Sequence, residues 1–450
     1  MPLSTFMGLE TTLRGLIASQ SALDTTGHNI ANANTPGYSR QVATMTASPA
    51  YSEPAVSGPA APGQLGTGVT VGSINRVRNA YLDIQYRAQS MRQGSAEATQ
   101  DGLNQVQAAF NEPTDTGLNS LLSAYWSAWG DVSNSPENLA TRQSLAQAAS
   151  SLADGFNSLA SQISTVQQQT AQNVTSTIGQ VNSIGTQIAQ LNAAIAHTEV
   201  SGDQPNDLLD QRDALLDTLS KIGNVSINQG QYGSIDVTIG GASLVSGATS
   251  STIAESDMTG LTSGTLSGLI TLRDTTIPSY QSSLDTIAAA LISKTNAQSA
   301  AGFDLNGNAG AALFTGTDAS TIGVNSAVVA TPGLIAASGN GQPGNADNAL
   351  AMANMQSTPL IGGATIDTAY SQLVTRVGSD TQQAMNTNDN ATALVSAVDN
   401  NRQSVSGVSL DEEMTNMLRF QRGYQASSRA LTAMDEMIDQ LINRTGRAGL

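Results

Sequence analysis

Residues 136–197 read PENLATRQSLAQAASSLADGFNSLASQISTVQQQTAQNVTSTIGQVNSIGTQIAQLNAAIAH. Apolar side chains recur there at Leu139, Leu145, Ala149, Leu152, Phe156, Leu159, Ile163, Val166, Val174, Ile178, Val181, Ile184, Ile188, Leu191 and Ile195. Steps of three and four dominate, the period of a helix with one buried stripe. Pro136 suits a first helical turn, and Gly155, Gly179 and Gly185 weaken the pattern without erasing it. A continuous helix from Pro136 to His197 would extend about 90 Å, at about 1.5 Å per residue. Helices of that length make rods rather than compact pockets, so the chain reads as mainly α with a smaller β part.

Outward from this rod, a shorter helix is expected from Asp207 to Lys221. Strand-like alternation follows at Val225, Ile227, Ile235, Val237 and Ile239, punctuated by Gly230, Gly233, Gly240 and Gly241. Another helix is expected over about 273–297. Residues 301–345 read as loops with short strands. Helix returns from about Ala346, breaks near Pro359–Gly363, and resumes over Ser371–Val398. Ser48–Gly68, bearing glycine and proline, reads as a linker or extended arm. The expected organisation is therefore an N-terminal helix and turn (1–50), a linker arm plus helical rod (51–225) and a small β/loop-rich outer part interrupted by a helix (226–345). A helical return of the rod (346–400) and a C-terminal helix (401–450) complete it.

The two ends carry matching signals. Phe6, Leu9, Leu13, Leu16, Gln20, Leu23, Gly27 and Ile30 alternate steps of three and four, a heptad seam. Pro36 and Gly37 stop that helix. Met417, Phe420, Tyr424, Ser427, Leu431, Met434, Ile438 and Leu441 repeat the spacing, behind Asp411, Glu412 and Glu413 in a first turn opening at Ser409. Such stripes pack against each other as a terminal coiled coil, against neighbouring subunits, or both. A lone helix pair buries only a narrow seam and is marginal until something covers it.

Composition narrows the chemistry. Only 12% of the 450 residues are charged and 4% aromatic; there is no cysteine, and His28 and His197 are the only histidines. Cysteine nucleophiles, disulfides and Cys/His zinc sites are excluded. A net charge of −17 argues against nucleic acid or anionic membrane as a partner. That charge is unevenly spread: residues 91–400 hold 25 acidic and seven basic side chains, while both ends are nearly neutral. Neutral ends suit burial in an assembly and an acidic middle suits solvation. No run of about eighteen apolar residues exists to span a membrane. Met1 to Gln20 lacks the basic and apolar regions of a cleaved secretory signal, so export by another route is expected.

No catalytic, cofactor or metal constellation stands out. Gly339, Gly341 and Gly344 fit G-x-G-x-x-G, but no strand precedes them and Pro343 disturbs the helix start. Asp304, Asn306 and Asn308 imitate the start of a calcium loop, yet Thr315 stands where a bidentate glutamate belongs, so a turn is expected. Asp207/Asp210 and Asp213/Asp217 surround Arg212 and read as a solvated, salt-bridged helix face. Trp126 and Trp129, three apart, read as anchors of a helix to the core, and His28 as a capping or packing residue.

One run carries a resemblance. Thr25-Thr-Gly-His-Asn-Ile-Ala-Asn-Ala-Asn-Thr-Pro-Gly-Tyr-Ser-Arg40 closely resembles the N-terminal signature of bacterial flagellar axial proteins. Gly66-Thr-Gly-Val69, Arg76-Val-Arg-Asn-Ala-Tyr-Leu82 and Gly302-Phe-Asp-Leu-Asn-Gly307 resemble further segments of one family among them, the hook-associated protein 1 family. The segments that point to that family over hook and rod proteins are Asn206-Asp-Leu-Leu-Asp-Gln-Arg-Asp213 and the run opening at Ser409. The chain is short for the family, leaving little sequence for its variable outer domain.

The resemblance implies a structural protein of the hook–filament junction, exported through the flagellar type III apparatus. It implies an annular homo-oligomer whose partners are hook protein, the second junction protein and a cytosolic export chaperone. The assembly surface it implies comprises Leu9, Leu13, Leu16, Leu23, Ile30, Asn32, Asn34, Pro36, Gly37 and Tyr38. The C-terminal seam and chaperone site would be Met417, Phe420, Tyr424, Leu431, Met434, Ile438 and Leu441. Rival readings are another axial protein of hook or rod, a secreted enzyme acting on a polymer, and an extracellular binding module with an acidic outer face.

Overall fold

The computed structural model describes residues 5–51, 66–114 and 117–443. Most of the expected Ser48–Gly68 arm lies outside these residues. Helix α1 (Thr5–Ala31) ends in a tight turn before strands β1 (Gln41–Ala47) and β2 (Val69–Arg76), which pair antiparallel as a two-stranded ribbon. Helices α2 (Ala80–Phe110), α3 (Leu118–Asn134), α4 (Leu139–Val200) and α5 (Asn206–Ile222) follow. Asn79 caps α2 by accepting from the Tyr81 N–H at 3.0 Å, and Asn138 caps α4 by accepting from Ala140 at 2.9 Å. Pro136 therefore sits in the turn before α4 rather than in its first turn.

Strands β3 (Val225–Gln229), β4 (Ile235–Ile239), β5 (Ala242–Ser246) and β6 (Thr249–Ser250) form one antiparallel meander. Helix α6 (Thr265–Thr271) passes through a π turn (Leu272–Thr276) into α7 (Ile277–Ala301). The helix expected over 273–297 is thus the larger part of a longer interrupted one. Strands β7 (Phe314–Thr315) and β8 (Gly323–Val324) and helices α8 (Ser326–Ala330) and α9 (Asp347–Asn354) are short. Asp304 stands in the expected turn, where Oδ1 accepts from the backbone N–H groups of Asn306 and Asn308, both at 2.8 Å. Helix α10 (Ile366–Ser406) returns along the rod, and α11 (Leu410–Asn443) pairs with α1.

Helix α4 threads two hydrophobic cores. Its first half, Leu145 to Val166, packs with α3, α7, α9 and α10, where Trp126 and Trp129 are buried. Its second half, Val174 to Ala189, packs with α5, α6 and the four-stranded sheet. The 226–345 stretch, expected as one outer part, is divided between these cores: the sheet joins the second, and Leu313, Phe314 and Ile322 join the first. The cause is the interrupted α6–α7 helix, whose Leu266 and Leu269 belong to the second core and whose Leu272, Ile277 and Tyr280 belong to the first. Two long elements gave no sequence signal, the β1–β2 ribbon and α2. Through its middle the buried face of α2 is Ser90, Gly94, Ala96, Ala98 and Gly102, residues too small to register as an apolar stripe, and the larger Leu103, Val106 and Phe110 join it only near the C-terminal end. The small residues allow close approach: a β-carbon at Gly94 would collide with the Lys221 carbonyl oxygen.

Candidate assembly site at the joint between terminal helices and rod

Three segments lie where the α1–α11 pair meets the rod: the turn after α1, and the two chain crossings, from β2 to α2 and from α10 to α11. All three are held by α5 or its neighbours. Asn29, 1% exposed, donates from Nδ2 to the Gln41 carbonyl at 2.8 Å and to Glu413 of α11 at 3.0 Å. Its Oδ1 accepts from the Gln41 N–H at 2.9 Å and the Tyr38 hydroxyl at 2.8 Å. Burial, followed by the charges of Asp207, Asp210 and Glu413, pushes the Tyr38 hydroxyl far up, which keeps it a donor. Ser39 donates twice to Asp210, from its backbone at 2.9 Å and its hydroxyl at 2.8 Å. Gln41 donates to Asp207 at 2.7 Å, and Asn206 donates to the Ile74 carbonyl at 2.7 Å.

Charge completes the joint. Asp210 meets Arg76 at 2.7 Å, and Asp213 meets Arg76 at 2.8 Å, Arg78 at 2.9 Å and Arg87 at 3.2 Å. Asp217 meets Arg87 at 2.7 Å and Arg402 at 2.5 Å, and Arg402 also stacks on Tyr86, 3.8 Å from its ring centroid. Arg40 meets Glu412 at 2.8 Å while its N–H donates to the Ser406 carbonyl at 2.9 Å. Burial alone would raise the Asp213 carboxyl; Arg78, Arg76 and Arg87 outweigh it and hold that carboxyl below its ordinary range. The expectation of a solvated face around Arg212 is corrected here. Asp210, Asp213 and Asp217 share one side of α5 with arginines from other elements. Arg212 points the other way, donating to Asn192 Oδ1 at 2.9 Å and the Gly233 carbonyl at 2.6 Å.

The predicted surface residues separate into two groups. Met417, Phe420, Tyr424, Leu431, Met434 and Ile438 are half-buried on the side of α11 that meets α1, while Leu441 is 50% exposed. On α1 the most buried residues are Ala18, Ala22, Thr25, Thr26 and Asn29, not the leucines. Close approach of the helices uses small residues: a β-carbon at Gly15 would lie 3.1 Å from Ser427 Oγ, and one at Gly423 3.1 Å from Ser19 Oγ. Leu9, Leu16, Leu23 and Ile30 are half-buried beside that contact, and Leu13 is exposed with Phe6 and Ile17. Asn32 and Tyr38 are half-buried in the turn, and Asn34, Pro36 and Gly37 are exposed. His28 packs edge-on against Tyr38, ring centroids 5.5 Å apart, with Nε2 3.3 Å from Asp207. Sequence reasoning missed Asn29, although it lies within the quoted 25–40 run, because a buried asparagine has no periodic signature.

A terminal helix pair with uncovered apolar side chains, pinned through a polar joint to a helical rod, defines a structural protein built to join an assembly. Among the described residues no group of His, Cys, Asp or Glu is placed to hold a metal ion, and no helix is long and apolar enough to cross a membrane.

The comparisons identify which assembly. Residues 103–260 and 254–314 match the flagellar hook-associated protein FlgK helical domain; residues 9–38 match the flagella basal body rod protein family, and residues 393–444 the C-terminal region of flagellar basal body rod FlgEFG proteins. Flagellar hook-associated protein 1 of Bacillus subtilis is 31% identical, the match covering 99% of both chains. The Escherichia coli protein of that name is 26% identical over 96% of this chain and 98% of its own. The chain belongs to the flagellar hook-associated protein 1 family, structural proteins of the hook–filament junction of the bacterial flagellum. Its fold is similar to that of the flagellar hook junction protein FlgK from Burkholderia pseudomallei, with a TM-score of 0.63 at 18% identity, covering 72% of this chain and all of the other.

Proposed function

We propose that this chain forms an annular layer of identical subunits between the hook and the second junction protein, with α1 and α11 in the axial core as a coiled coil. The supporting observation is the outer face of the α1–α11 pair. Phe6, Leu13 and Ile17 on α1, and Met414 and Leu418 near the start of α11, are 42–61% exposed. Such a stripe is costly in water and is covered by neighbouring copies once the subunits assemble. The chain leaves the cell through the flagellar type III apparatus. Before export a cytosolic chaperone holds Met417, Phe420, Tyr424, Leu431, Met434 and Ile438, the side of α11 that α1 covers after folding. Chaperone and α1 therefore compete for one face.

Antibody labelling of isolated flagella should place the protein in a narrow band between hook and filament; label along the hook or filament would refute the junction reading. Leu431→Asp puts an unpaired charge into the α11 seam, where burial costs several kcal/mol. It should abolish junction assembly and motility while the 91–400 region keeps its thermal transition. Removing residues 409–450 should abolish chaperone binding measured by calorimetry, and removing residues 1–35 should leave the affinity nearly unchanged. Tight binding to the C-terminally shortened chain would place the chaperone site elsewhere.

A further inference from the structure

The joint uses the arginines of the Arg76–Leu82 run but not its aromatic residue. Tyr81 is 65% exposed and Ile84, one turn on, is 66% exposed. On α2, Tyr86, Ser90 and Gln93 line a cleft shared with α5 and α10. At about 100° per residue, Tyr81 and Ile84 stand on the opposite side of the helix from those three. A contiguous aromatic and branched aliphatic pair facing solvent is a candidate contact.

On the other flank of α5, between it and α4, lies a cavity of about 740 Å³ walled by Pro36, Gly37 and Tyr38. Its apolar lining includes Leu191, Ala194, Ala214 and Leu215, and the two alanines leave the space open. At its rim Asp207 accepts from His28 and Gln41 at Oδ1 only; Oδ2 accepts no hydrogen bond among the described residues. The cavity thus offers an apolar floor with one free carboxylate oxygen, which suits a phenol beside an aliphatic side chain.

We propose that Tyr81 and Ile84 of one copy seat in the α4–α5 cavity of the next copy around the ring, with the Tyr81 hydroxyl donating to Asp207. The contact rests on the annular reading above. A second copy is the occupant because knob and hole are at one level of the rod. Asp83, between Tyr81 and Ile84, meets the Arg78 that grips Asp213, and Asp210, one turn from Asp213, lines the cavity. Complementary patches on two flanks at equal height are what a head-to-tail interface requires, and a rotation repeats it into a ring. The cavity wall is also the exposed turn of the joint, so the contact continues the surface assigned to assembly.

The chain has no cysteine, so an introduced pair reports alone. Two full-length chains, one carrying Tyr81→Cys and the other a tag and Ala194→Cys, are co-expressed in cells lacking the native protein, and isolated flagella are oxidised. A disulfide-linked dimer of the two different chains is expected, and a ladder when both substitutions sit on one chain. Ile84→Cys with Gln211→Cys is a second pair on exposed positions. If the substituted chains occupy the junction and filaments grow, yet neither pair links, the contact is refuted. Linkage of position 194 to another flagellar protein refutes the choice of occupant. If even the unsubstituted chain is absent from the junction, the annular reading and the contact fall together.

Discussion

Asn29 and Gln41 hold each other by two reciprocal hydrogen bonds, the Asn29 amide pairing with the Gln41 N–H and carbonyl as a neighbouring strand would. This fixes where the chain leaves α1 and enters β1. Because the same amide reaches Glu413, it also fixes where α11 begins against α1.

Asn29→Asp removes the two donated bonds and sets a second carboxylate against Glu413 with almost no change in shape. A buried group stripped of its partners beside a like charge should cost about 3 kcal/mol. Hydrogen exchange should show lost protection in α1 and α11 with the two rod cores unchanged; unchanged α1 protection would mean that the amide network does not set the joint.

Asp213→Asn leaves Arg76, Arg78 and Arg87 without their shared carboxylate and should cost about 3 kcal/mol at neutral pH. The pH dependence follows from the depressed carboxyl. Its contribution is present in full above the unfolded chain's value of 3.8 and is lost as pH falls through the lower folded value. Denaturant titrations of the two proteins should therefore differ most at neutral pH and converge in strong acid. A constant difference across that range would contradict the assignment.

Leu13→Asp and Gly15→Val separate assembly from helix pairing. Leu13 is exposed, so its substitution should leave the folded monomer's thermal transition unchanged and prevent junction assembly. At Gly15 a β-branched side chain meets Ser427 and should part α1 from α11, destabilising the pair by about 1–3 kcal/mol. Equal loss of α1 helix signal in both variants would mean that the exposed stripe also holds the pair together.

Gly37→Ala tests the turn. Gly37 has φ +80°, and its β-carbon would lie 3.2 Å from Ala214 Cβ, so alanine combines left-handed strain with a tight contact against α5. A loss of about 1–2 kcal/mol is expected from the backbone alone. Thermal unfolding no different from that of the native chain would show that the turn can lift from α5 freely.

Local periodicity determined the rod and both terminal helices, because a helix that buries one stripe must repeat its apolar residues every three or four positions. Leu145 to Ile195 and Met417 to Ile438 do so, and Pro36 with Gly37 sets an outer limit for α1, which ends earlier, at Ala31. The Thr25–Arg40 and Asn206–Asp213 runs were also legible, and each proves to be half of the joint. Only the tertiary structure decided that they dock on each other, because Ser39 and Asp210 are 171 positions apart and a hydrogen bond at that separation leaves no periodic trace. It also decided that small residues, not leucines, form the closest contact between α1 and α11, and that α2 is a buried helix at all. Glycine, alanine and serine stabilise those contacts through close backbone approach, which depends on the shape of the partner and not on the hydrophobicity a sequence displays.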